Sequence, residues 1–159
     1  MFESAVPMTP IELVRAEWEA STAFCPRTWF AGKRRLLVTD NFRRYGEAIA
    51  VLEWSSYCVV SKLESLSPRG GAASRLIAYL KTLADSHRIV LFGNATAYVP
   101  ETQTVLNGLL TQSELEAWYQ RHGFVMHRNS LGIMEIWYPG AHYDARPLAA
   151  GDAAQAPRP

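Results

Sequence analysis

Leu66-Ser67-Pro68-Arg69-Gly70-Gly71-Ala72-Ala73-Ser74-Arg75-Leu76 breaks a strand-like run into small residues and then opens a helix. Backbone N–H groups at such a helix start converge with no side chains in the way, and the helix dipole favours negative charge there. Arg69 can add a charge-assisted contact, so the turn is a candidate seat for a phosphate or pyrophosphate. The same small residues also suit a βα turn that needs only close packing. The spacing is not GxGxxG, no acidic residue ends a strand about 20 residues on, and no Gly-Lys-Ser/Thr occurs in the turn, which argues against dinucleotide and Walker A loops. A second stretch, Trp118-Tyr119-Gln120-Arg121-His122-Gly123-Phe124, closes another helix on a tyrosine, stops it on a glycine and starts a strand.

Working outward, Thr9-Pro10-Ile11-Glu12 is a capping box with proline at the first helical position, and Ile11, Val14 and Trp18 extend an amphipathic helix to about residue 20. Strand-like segments follow at Arg35 to Thr39, Glu47 to Trp54 and Tyr57 to Leu66, joined by links short enough for antiparallel hairpins. The helix from Ala72 to about Ala84 carries Leu76, Leu80 and Leu83 on one stripe and leads into the apolar run Ile89 to Phe92. Strand, helix and strand make a βαβ unit, so residues 57–66 and 88–92 are predicted to lie parallel with a right-handed crossover. After a long connection over 93–110, Thr111-Gln112-Ser113-Glu114 is a second capping box. Phe124 to Met126 and Gly132 to Tyr138 read as a closing hairpin. The expectation is one domain over residues 1–140, with 141–159 a disordered tail rich in alanine and proline.

Composition narrows the functional classes. A chain of 159 residues with 48% hydrophobic residues has room for a sizeable core, and a net charge of +1 argues against a general polyanion coat. Cys25 and Cys58 are far apart, outside any CxxC or Cys/His metal spacing, and read as reduced structural thiols. Neither a signal-peptide pattern nor an apolar run of about 18 residues is visible, so the expected location is the cytoplasm, with no membrane; no histidine pair has ligand spacing, so no metal is expected.

Taken in order, the two motifs resemble the Gcn5-related N-acetyltransferase (GNAT) family, whose pattern is strand, phosphate loop, helix, strand, tyrosine-bearing helix, Gly-Phe and hairpin. Residues 57–138 follow that succession. The resemblance implies an α/β (α+β) fold with a mixed, mostly antiparallel sheet flanked by helices. One parallel βαβ step would splay into a V-shaped cleft. It further implies acetyl-CoA as co-substrate and transfer of its acetyl group to a primary amine by direct attack in a ternary complex. Arg69, Gly70, Gly71, Ala72, Ala73 and Ser74 would hold the coenzyme A pyrophosphate. Ser65 and Leu66 would pair with the pantetheine arm, and Tyr119 would be the general acid for the departing thiolate. The family's loop register fits either with Ser67 in place of its first basic residue or with Arg69 in that place and one residue deleted. The asparagine common seven residues before the tyrosine is Gln112 here.

Direct attack needs a proton acceptor for the amine. Glu64, at the end of the strand that leads into the loop, is the best-placed carboxylate; Glu53 and Glu135 are weaker candidates. The acceptor pocket is expected from the N-terminal helix and the connection over 93–110. A separate feature is the basic and aromatic stretch with Lys33, Arg34, Arg35, Arg43 and Arg44 beside Trp29, Phe30, Phe42 and Tyr45. It reads either as a protected sheet edge or as a nucleic-acid grip. The alternative to an enzyme is therefore a degenerate transferase fold that binds a protein or nucleic acid, as monomer or homodimer.

Overall fold

The computed structural model describes residues 6–31, 36–67, 70–97 and 110–139. Helix α1 (Pro10–Ser21) starts on the expected capping box: Thr9 Oγ1 accepts from the Glu12 amide, and the Glu12 carboxylate accepts from the Thr9 amide. Strands β1 (Ala23–Ala31), β2 (Leu36–Tyr45), β3 (Ala48–Trp54) and β4 (Cys58–Ser65) follow as antiparallel neighbours. Helix α2 (Ala72–His87) crosses to β5 (Leu91–Asn94), which pairs with β4 in parallel. Helix α3 (Gln112–Arg121) then leads to the hairpin of β6 (Val125–Arg128) and β7 (Met134–Tyr138). The sheet order is β1-β2-β3-β4-β5-β7-β6, so the last strand inserts between β5 and β6.

This is the mixed, mostly antiparallel sheet with one parallel step that the sequence predicts. Three elements differ. Strand β1 is absent from the sequence reading, because Pro26 lies within it; an edge strand tolerates proline, since one of its sides needs no ladder donor. Strand β2 runs well beyond the expected Thr39, and α2 continues to His87 rather than ending near Ala84. Its end is set by Arg88, in the left-handed region at φ 56, whose amide bonds the Ala84 carbonyl. Gly123 takes the left-handed conformation expected after α3, at φ 83. The tail at 141–159 lies outside the described residues.

All three helices join one apolar cluster on one face of the sheet. Val14 and Trp18 of α1, Leu76, Ile77, Leu80 and Leu83 of α2, and Tyr119 of α3 pack with Ala48, Ala50, Cys58, Val60, Leu91 and Ile136 of the strands. Ala48 and Ala50 are fully buried, and their small side chains let α2 approach β3 closely. Each large aliphatic side chain removed from water here contributes roughly 1.5–3 kcal/mol. The Tyr79 ring stacks on Tyr45 at 4.6 Å and on Trp18 at 6.3 Å, tying α2 to β2 and α1. Strand alternation turns Asp40, Ile49, Val51, Glu53, Lys62 and Glu64 to the opposite face.

Candidate functional site

Strands β4 and β5 pair over only three positions, Cys58↔Leu91, Val59↔Phe92 and Val60↔Gly93. Beyond that point each follows a different neighbour. Strand β4 stays with β3 as far as Ser65↔Ala48, whereas β5 stays with β7, Asn94 opposite Glu135 and the Ala95 amide bonding the Met134 carbonyl at 2.8 Å. The result is a fork. At its vertex sits Gly93, where a Cβ would lie 3.1 Å from the Val60 carbonyl oxygen and 3.6 Å from Ile136. Val51 pairs with Lys62 and Leu52 with Val60, so Ser61 is an extra residue, a β-bulge beside the vertex. A cavity of about 380 Å³ opens here, lined chiefly from the face opposite the helices by Glu53, Tyr57, Val59, Phe92, Asn94 and Glu135.

The turn before α2 has the form the sequence suggests. Gly71 is the N-cap in the left-handed conformation at φ 78, and no side chain caps the helix. Gly70 bonds back to the Ser67 carbonyl at 3.1 Å, and a Cβ on Gly70 would press that same oxygen at 3.2 Å. Ala72, Ala73 and Ser74 form the first turn, whose amides have no intrahelical partner. Arg69 lies outside the described residues. A cation that the sequence reading passed over takes part: Arg75 Nη1 lies 3.3 Å from where a Gly71 Cβ would stand, so its guanidinium lies alongside the turn. An arginine in the first helical turn that reaches back over a glycine cap is the sequence signal for it.

Ser74 turns inward. Its Oγ accepts from Trp118 Nε1 at 3.1 Å and lies 3.3 Å from His122 Nε2, which fastens the first turn of α2 to the last turns of α3. Burial, with Lys81 and Arg121 nearby, holds the His122 imidazole below the ordinary histidine value. Tyr119 sits on the buried side of α3, its ring edge-on to Trp118 and Phe124. The residue is 6% exposed, yet its hydroxyl makes no hydrogen bond with any described residue. Burial pushes its pKa well above that of a free tyrosine.

The remaining expected residues fall as follows. Glu64 is on the face opposite the helices, one of its oxygens 3.5 Å from Arg27, and does not line the cavity. Glu53 and Glu135 do; Glu135 accepts from Asn129 Nδ2 at 2.9 Å. The Leu66 amide bonds the Glu47 carbonyl at 2.7 Å, towards β3, and Ser65 Oγ donates to the Ser67 carbonyl at 2.9 Å. Helix α1 packs on α2, on the far side of the sheet from the cavity, while 98–109 lies outside the described residues. Gln112 fixes the end of β5: it donates to the Ala95 carbonyl at 2.6 Å and accepts from the Ala97 amide at 2.8 Å.

The basic stretch is used within the fold where it is described. Arg43 donates to the Glu19 and Thr22 carbonyls and to Thr22 Oγ1, neutralising the C-terminal end of α1. Arg44 bonds the Gly46 carbonyl and Glu47 within the β2–β3 turn. Phe42 is buried, and one face of the Tyr45 ring stacks on Tyr79. Lys33, Arg34 and Arg35 lie outside the described residues. Cys25 and Cys58 are free thiols, and burial pushes Cys58 up to about 12. Among the described residues, no helix is long and apolar enough to cross a membrane.

No family model, no curated protein and no solved structure matches this chain.

Proposed function

We propose that this chain is an acetyl-CoA-dependent N-acetyltransferase of the Gcn5-related kind, moving an acetyl group to a primary amine by direct attack in a ternary complex. The observation that carries the reading is the fork, where a parallel pair separates after Val60 and Gly93 beside a cavity. An extended amide-bearing chain, such as a pantetheine arm, can pair with strand backbone where two strands part. The uncapped start of α2 supports the same reading, since Gly71, Ala72 and Ala73 offer donors and Arg75 a cation for the pyrophosphate.

Chemistry at the thioester then divides between the two faces of the sheet. The donor would enter from the helical face, past the first turn of α2 and the phenol of Tyr119. The amine would reach the carbonyl carbon from the other face. Tyr119 is neutral at physiological pH, because burial stabilises its uncharged form. A departing thiolate, with an ordinary thiol pKa of about 8.5, is a weaker base than that phenolate. Tyr119 therefore stabilises the sulfur by donating a hydrogen bond rather than by giving up its proton outright.

Calorimetric titration with acetyl-CoA tests the reading, with desulfo-CoA and adenosine bisphosphate as comparisons. Saturable one-to-one binding is expected. Gly71→Glu should remove it, by bulk and by charge against the pyrophosphate, in a protein whose circular dichroism still reports the fold. Absence of binding at millimolar acetyl-CoA would overturn the proposal.

A further inference from the structure

The fork cavity has a polarity of its own. Among the described residues, the carboxylates that line it are Glu53 of β3 and Glu135 of β7, and no lysine, arginine or histidine does. Between them lie Val59 and the Tyr57 and Phe92 rings, packed edge to face with centroids 4.6 Å apart. The register places the two carboxylates at different depths. Glu53 is level with Val59 and Phe92, at the closed end of the fork, whereas Glu135 is level with Asn94, just past the vertex. Three strand spacings separate β3 from β7, on the order of 14 Å between backbones. Two glutamate side chains reaching inward from those walls leave room for a short chain between them.

We propose that this cavity seats the acceptor, and that the acceptor is an aliphatic diamine or polyamine carrying two ammonium groups; the assignment rests on the acetyltransferase reading. Glu53 holds the distal ammonium at the closed end. The methylenes lie over Val59, Tyr57 and Phe92, whose ring faces also attract a cation. The proximal nitrogen lies at the vertex beside Glu135, which takes its first proton and passes it to solvent. The free amine then attacks the thioester carbonyl carbon: a C–N bond forms, the C–S bond breaks, and its electron pair leaves on sulfur. The second proton leaves nitrogen as the amide forms and ends on the coenzyme thiol. Acceptors with a carboxylate or phosphate in place of the second ammonium meet like charge at Glu53 and are rejected.

The test compares 1,4-diaminobutane with butylamine, which has the same chain and a single charge. Calorimetry on the full chain without acetyl-CoA should show the diamine binding at least tenfold more tightly than butylamine. Glu53→Gln, a near-isosteric change at an exposed position, should erase that difference. Thiol release from acetyl-CoA should follow the same order of acceptors. Equal binding of the two amines to the unaltered protein, or a preference unchanged in Glu53→Gln, overturns the assignment. The two proposals fail separately. Diamine binding without any acetyl-CoA binding keeps the cavity as a diamine site and removes the transferase reading. Acetyl-CoA binding with no diamine preference keeps the transferase and removes the acceptor assignment.

Discussion

On its helical side the sheet presents Ala48, Ala50, Cys58, Leu91 and Ile136 to three helices, whereas on the other side the same strands present Asp40, Lys62, Glu53, Glu64 and Glu135. The helical side is an apolar core with Trp18, Leu76, Ile77 and Leu80 essentially inaccessible. Across the sheet, Lys62 pairs with Asp40 and Arg27 with Glu64, with the two cations about a third exposed and the two carboxylates at 20% and 10%. The main apolar cluster lies on the first face, although Ile49 and Phe42 are buried on the second, and the second face carries the carboxylates that line the cavity. Between β4 and β5 the ladder ends after Val60↔Gly93, beside the cavity.

The comparison breaks most readily at the core. Leu80→Ala should cost about 2–5 kcal/mol in urea unfolding, the range for deleting a fully buried leucine. Lys62→Gln on the opposite face should cost less than about 1 kcal/mol, as for other partly exposed ion pairs. Similar losses from both would mean that the charged face is as much a core as the helical one. Next, Tyr119→Phe should lower turnover about 100-fold while leaving acetyl-CoA affinity and the melting temperature nearly unchanged, because its hydroxyl has no described partner to lose. An unaltered rate would remove Tyr119 from the chemistry.

Gln112→Ala should come third. Losing the bonds to Ala95 and Ala97 leaves part-buried backbone groups unpaired, at about 1–3 kcal/mol. Faster hydrogen exchange at the Ala97 amide would show that the fork's far arm has loosened. The smallest effect is in pH. His122 is held below the ordinary 6.5, so the unfolded chain binds its proton more readily than the folded one. Its contribution is present above 6.5 and is lost as pH falls through the lower folded value. His122→Gln should therefore flatten the acid side of a melting-temperature profile, and an unchanged slope would place that acid sensitivity elsewhere.

Much of this was legible in the chain. Both capping boxes, the glycine stop at Gly123 and the parallel step between residues 57–66 and 88–92 follow from local signals: side chains bonding their own helix ends, and a helix between two apolar runs. Strand β1 was not, because Pro26 and the surrounding mix of basic and aromatic residues look like loop until the edge of a sheet is available to them. Nor were the roles of Arg43 and Arg44 visible. A run of cations looks the same in sequence whether it faces a ligand or, as here, the end of a helix and a turn.

The sequence by itself determined the two capped helix starts at Thr9 and Thr111, the glycine turn before α2 and the glycine stop after α3, since each depends on residues within a few positions of one another. The tertiary structure alone decided where β4 and β5 part, that Glu53 and Glu135 line one cavity while Glu64 turns to Arg27, and that α1 covers the face away from it. Those outcomes depend on register across four strands and on one bulge at Ser61, which shifts side chains between faces through pairings between residues far apart in the chain.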